Sequence, residues 1–102
     1  MISGVGPNAP MTENEQGGRQ SHLPYRFDLI DAKALFRMAE ICHSGAEKYG
    51  EWNWKKIGID DNLNHAIAHI YAYLGGDQQD DHLGHAFTRL MFALTLAIEE
   101  GE

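Results

Sequence analysis

Four of the six histidines and a group of three aspartates fall between His65 and His85. His65 and His69 are four residues apart, as are Asp81 and His85, and Asp77 and Asp80 precede that second pair. Residues three, four or seven apart share a helical face. Thr88 extends the Asp81–His85 face, and an earlier stretch places Glu40, His43 and Glu47 on one face in the same way. Imidazole with several carboxylates suits Mn²⁺, Mg²⁺, Zn²⁺ or Fe²⁺, so metal or phosphate chemistry is expected here. No closed spacing of the zinc-finger kind selects one metal. Polar faces opposite an apolar stripe also serve as plain solvated surface, and a single helical histidine is more often structural than a ligand.

A second concentration of unusual residues is the connection Glu51–Asp60, EWNWKKIGID. Trp54 beside Lys55 and Lys56 offers an indole face for a nucleobase and ammonium groups for phosphate. Asn53 carries both a donor and an acceptor for a base edge. The same tryptophans, Trp52 included, can equally be core plugs. Phosphate-binding loops of the Walker kind, the dinucleotide glycine pattern and the nucleophile elbow are all missing.

The elements that must position these groups follow from periodicity. Leu35, Met38, Ala39, Cys42, Ala46 and Tyr49 recur at helical spacing, giving a first helix from about Asp31 to Lys48 that Gly50 stops. A second helix begins at Asp60 or Asp61 and ends at Leu74, before Gly75 and Gly76, with Leu63, Ile67, Ile70 and Leu74 as its inward stripe. A third runs from about Asp80 to Glu99, with Leu83, Phe87, Leu90, Leu94 and Ile98 inward. No strand pattern or repeat is visible. The expected fold is all-α: three main helices (residues 23–102) behind an extended or flexible N-terminal arm, residues 1–22, rich in Gly, Asn, Gln and Pro.

Length and charge bound the rest. The 102 residues make one domain with a modest core. Three helices leave apolar surface uncovered, so a homo-oligomer is expected. A net charge of −7 with only eight Lys and Arg argues against duplex nucleic acid, which demands a basic surface. Small anionic ligands remain compatible with it. Cys42 is the one cysteine and reads as core packing in a reducing compartment. No leader or membrane span is recognisable, which points to the cytoplasm.

Gly45-Ala46-Glu47-Lys48-Tyr49-Gly50 followed by Asn53-Trp54-Lys55-Lys56 resembles the GAxKYGxxNWxKG signature of a phage-borne family described as dATP/dGTP diphosphohydrolases. Tyr25-Arg26-Phe27-Asp28-Leu29 is similar to that family's R-x-D-L approach to the first helix, and Asp80-Asp81-His82-Leu83 with His85 to its acidic-His-Leu segment. The resemblance spans roughly residues 17–96. It implies an all-α, MazG-like pyrophosphohydrolase acting on a purine deoxynucleoside triphosphate with Mg²⁺ or Mn²⁺, in the host cytoplasm if phage-encoded.

Carried over by position, the resemblance makes Glu40, Asp77, Asp80 and Asp81 metal ligands or base, with His69 and His85 as ligands or proton shuttles. Glu40, Asp81 and His85 form the expected catalytic set; Glu40, His69, Asp77, Asp80 and Asp81 form the expected metal set. Lys48, Lys55 and Lys56 are the expected phosphate contacts, Asn53 and Trp54 lie nearest the base, and Arg26 is a further expected substrate-binding residue. The chain departs from the pattern at three places. Ala68 stands where the family has an arginine before His69, Gln79 replaces the first acid of a triplet, and Ile57 is inserted before Gly58. Paired glutamates of the E-x-x-E kind are missing too, Glu40 and Glu47 being seven apart. These losses favour an alternative: a non-catalytic protein that sequesters a nucleotide, such as a cyclic immune signal, in a pocket lined by Trp54, Tyr25, Arg26 and lysines.

Overall fold

The computed structural model describes residues 2–102. The chain divides into two compact units, one ending at Asp31 and the other comprising Ala32–Glu102.

The first unit contains the structure that periodicity did not announce. Strands β1 (Met11–Glu13) and β2 (Arg19–Ser21) pair antiparallel, with Thr12 opposite Gln20. All six residues are exposed, so no apolar alternation existed to be read. Turn chemistry holds the hairpin instead. The Asn14 side-chain oxygen accepts from the backbone N–H of Gln16 and of Gly18, and Gly17 takes φ +84°, a conformation glycine adopts freely. A single 3-10 turn, Phe27–Leu29, closes the unit.

The second unit is helical: α1 (Ala32–Tyr49), α2 (Ile59–Leu74) and α3 (His82–Gly101), with a 3-10 turn at Asn53–Lys56 between α1 and α2. The fold is therefore a small all-α bundle, as expected. Gly50 ends α1 at φ +99°. Gly76, at φ +86°, ends α2 in a Schellman pattern, the Asp77 N–H reaching the Ala72 carbonyl at 3.0 Å. Asp81 caps α3 by accepting from the Gly84 N–H at 3.0 Å. A Cβ on Gly84 would collide with that carboxylate and come within 2.9 Å of Ile41 Cδ1, so glycine is what lets α1 approach α3 here.

Packing within the unit uses the opposite surfaces from those expected. The buried residues are Ala66, Ala86 and Ala93 with Asn62 and Thr88. Small side chains allow α2 and α3 to approach closely, and the Thr88 hydroxyl is satisfied by the Gly84 carbonyl at 2.8 Å. Leu63, Ile67, Ile70 and Leu74 on α2, and Leu83, Phe87, Leu90, Leu94 and Ile98 on α3, are all exposed. Periodicity identifies an apolar face but not the partner that covers it. On α1, Met38, Ile41, Cys42, Gly45 and Ala46 are half-buried, while Leu35 and Tyr49 are exposed. Burial also pushes the Cys42 thiol above its ordinary pKa, in keeping with a packing role.

No helix among the described residues is long and apolar enough to cross a membrane.

Candidate nucleotide site

A cavity of about 1180 Å³ opens between the second half of α1, the 50–57 connection and one side of α2 and α3. Helical spacing explains which groups reach it. His85, Arg89 and Phe92 lie on the side of α3 away from Leu83, Phe87 and Leu90. Asp61 and His65 lie on the side of α2 away from Leu63, Ile67 and Ile70. One surface of the helical layer thus carries the exposed leucines and isoleucines, and the other is a largely apolar groove into which Asp61, His65, His85 and Arg89 bring polar groups.

The groove's two tryptophans come from the connection, and Tyr49 of α1 and Phe92 of α3 add to them. Trp54 stacks on Phe92, centroids 4.4 Å apart and planes 5° from parallel, so its indole is anchored as well as cavity-lining. Trp52 lies 5.9 Å from Trp54 and is the one described non-glycine residue with a left-handed backbone, φ 62°. Such a conformation stores local strain beside the cavity.

The residues expected to hold substrate are distributed as follows. Lys48, Asn53, Trp54 and Lys55 line the groove. The Lys55 ammonium is also tied to Glu99 at 2.8 Å. Lys56 lines a separate, smaller recess of about 340 Å³ that it shares with Glu99 and Glu100. Arg26 belongs to the first unit, where it makes a two-point pair with Asp28 at 2.8 and 2.9 Å that holds the Asp28 carboxyl below its usual range.

The acid–histidine stretch is brought together, but in pairs. Asp77 Oδ2 accepts from His82 Nε2 at 2.5 Å, and His82 Nδ1 lies 3.0 Å from His69 Nδ1. His69 then stacks on His85, centroids 5.1 Å apart, and His85 Nε2 lies 3.4 Å from Asp80 Oδ1. A carboxylate only accepts, so the His82 proton nearest Asp77 is on Nε2. With both rings neutral, His82 Nδ1 accepts from His69 Nδ1–H, which leaves a lone pair on His69 Nε2. Burial, and then the neighbouring His85 and His82, push His69 below the ordinary imidazole pKa and favour this neutral form. The hydrogen bond from His82 holds Asp77 below the usual carboxylate range.

Asp81 is engaged differently. Its Oδ2 accepts from Arg37 Nε at 2.6 Å, and Arg37 Nη1 stands 3.9 Å from Glu40 Oε1. The Arg37 guanidinium, then the capped Gly84 N–H, hold the Asp81 carboxyl below its ordinary value. Asp80 adds a third negative charge near Arg37. His43 and Glu47 pair with each other at 2.8 Å on the exposed face of α1.

Among the described residues no group of three or more His, Cys, Asp or Glu side chains converges to hold a metal ion. The reason is chemical. Glu40 and Asp81 face Arg37, Asp77 faces His82, and Asp80 faces His85 and the Asp81 N–H. As arranged, these donors do not fit a divalent cation.

Periodicity and motif spacing passed over four groups. Arg37 lies three residues before Glu40, and His82 sits inside the acidic-His-Leu segment; both were in view without a role. Arg89 follows Thr88, whose face was recognised. Asn62 gave a detectable signal: an amide beside the apolar face of a helix, fully buried on folding.

No curated protein and no solved structure matches this chain. Residues 14–102 match the family described as dATP/dGTP diphosphohydrolase, N-terminal. With most of its length covered by that match, the chain belongs to the dATP/dGTP diphosphohydrolase N-terminal family.

Proposed function

We propose that this protein binds a purine deoxynucleoside triphosphate in the groove and cleaves it to the monophosphate and pyrophosphate. The observation that carries this reading is one cavity with an aromatic floor and a histidine wall, in a chain of this family. Trp54 and Asn53 meet the base, and Lys48 and Lys55 meet phosphate oxygens. The water oxygen attacks the α-phosphorus as the bond to the bridging oxygen breaks, and pyrophosphate carries away that electron pair. His85 is the member of the expected catalytic set that lines the cavity, and it takes the proton of the attacking water. Developing charge is met by the protein's own cations, because phosphoryl transfer depends chiefly on positioning and electrostatics.

A second reading has its own support. Arg37, His82 and His85 already face the carboxylates, and Ala68 and Gln79 replace a base and an acid of the family pattern. Both features favour a protein that sequesters a nucleotide, including a cyclic one, without turning it over.

The exposed leucines and isoleucines of α2 and α3 support a homo-oligomer in which a second copy covers them. The net negative charge supports a small-molecule partner over duplex nucleic acid, and the place of action that goes with this reading is the cytoplasm, of the host if phage-encoded.

The test is incubation with a panel of deoxynucleoside triphosphates and cyclic nucleotides, each with Mg²⁺, Mn²⁺ or a chelator, followed by chromatography before and after heat denaturation. Monophosphate and pyrophosphate from dATP or dGTP support turnover. Their loss with chelator would bring Mg²⁺ or Mn²⁺ into the reaction, and their persistence would leave the protein's own cations sufficient. A nucleotide that disappears and returns intact after heating establishes sequestration. A panel left wholly in solution and unchanged overturns both readings.

A further inference from the structure

Arg89 lines the groove from α3, one turn beyond His85. Its Nη1 donates to Asn62 Oδ1 at 3.1 Å. Asn62 is 0% exposed, and its Nδ2 donates to the carbonyls of Ile57 at 3.3 Å and Gly58 at 3.2 Å. Two carbonyl acceptors decide which end of the amide is nitrogen, so the oxygen must face Arg89. A neutral amide thereby fixes a guanidinium in direction and leaves its charge uncompensated.

Three other cations of the chain are held by carboxylates. Arg26 is paired with Asp28, Arg37 with Asp81 and Lys55 with Glu99. Among the described residues no carboxylate makes an ion pair with Arg89. Its charge extends to His69, whose protonation it opposes along with burial and the other histidines. One N–H on Asn62 leaves most of the five-donor fork for an anion, and a planar fork matches phosphate oxygens better than an ammonium does.

We propose that Arg89, aimed by the buried Asn62, is the polyphosphate anchor of the groove. Only the identity of the ligand's organic half rests on the nucleotide reading; the anion site stands on Arg89 and Asn62. An isolated guanidinium held by a buried amide is a pre-ordered anion receptor, with little side-chain freedom left to lose on binding.

The test is calorimetric titration of the protein with inorganic triphosphate, dGTP and deoxyguanosine. Wild type is expected to bind inorganic triphosphate and dGTP. Arg89→Gln, checked for an unchanged thermal midpoint, should weaken both by roughly tenfold or more, as expected for charge-assisted hydrogen bonds, and leave deoxyguanosine binding as it was. Arg89→Lys, which keeps the charge and loses the fork, should fall between them. Inorganic triphosphate bound in an Arg89-dependent way, with no gain from the nucleoside, upholds the anchor and removes the purine reading. Nucleotide binding that Arg89→Gln leaves unchanged overturns the anchor and spares the purine reading. Equal losses for deoxyguanosine and dGTP, or no binding of inorganic triphosphate by wild type, also overturn the anchor.

Discussion

Single residues in this chain carry their chemistry through the partner that orients them. His69 is the clearest case, because Asp77 and His82 together set where its proton lies. Its depressed pKa has a consequence for stability. In the unfolded chain an imidazole takes up a proton below about pH 6.5, whereas folded His69 resists doing so. Between those two pKa values the unfolded state holds more protons, so this contribution is full above about pH 6.5 and is lost as pH falls. The thermal midpoint should therefore fall between pH 7.5 and 5.5, and less steeply in His69→Gln. Parallel curves for the two proteins would contradict the assignment. The individual groups were legible in the sequence as ligand-type residues. Their pairing was not, because it depends on how α2 and α3 meet at Gly75 and Gly76.

Elements set the next level, and the three helices were readable almost to their ends. Glycines at 50, 75 and 76 and an aspartate cap at Asp81 are local signals that owe little to tertiary context. The hairpin escaped because its six residues bury nothing, and turn residues alone encode it. The apolar stripes were visible as stripes, yet within this unit α2 and α3 meet through Ala66, Ala86 and Ala93. Among the site residues, Lys48, Asn53, Trp54 and Lys55 were found because they cluster in one connection. Arg89 was not, since a single arginine in an apolar helix carries no motif.

Asp81 was expected at a site but does not line the cavity, and what it serves is an element. From the sequence, Asp81→Ala is expected to abolish hydrolysis with the fold intact; because Asp81 stands outside the cavity, the effect falls on stability first. Its cap on α3 and its bond to Arg37 add a stability cost. Loss of the cap alone should cost about 1 kcal/mol, whereas Asp81→Asn, an equally good cap, should avoid that part. Thermal melts of both variants separate cap from charge, and identical midpoints would show that the cap is not formed.

For the whole molecule the outstanding feature is exposure of large apolar side chains. Leu94 is 62% exposed and Ile98 55%, on a helix whose only buried hydrophobes are alanines. Surface of that kind along two adjacent helices asks for a second copy. Light scattering on the purified protein should give a mass above that of one chain, and Leu90→Asp should reduce it to a single chain. A wild-type mass equal to one chain would contradict this.

Phosphorus NMR of dGTP incubated with the protein in ¹⁸O-labelled water tests the proposed chemistry most directly. Attack at the α-phosphorus predicts growth of deoxyguanosine monophosphate carrying the label together with unlabelled pyrophosphate, and strong slowing in His85→Gln. A triphosphate spectrum that stays intact under all metal conditions, or one that yields orthophosphate and the diphosphate instead, would contradict it.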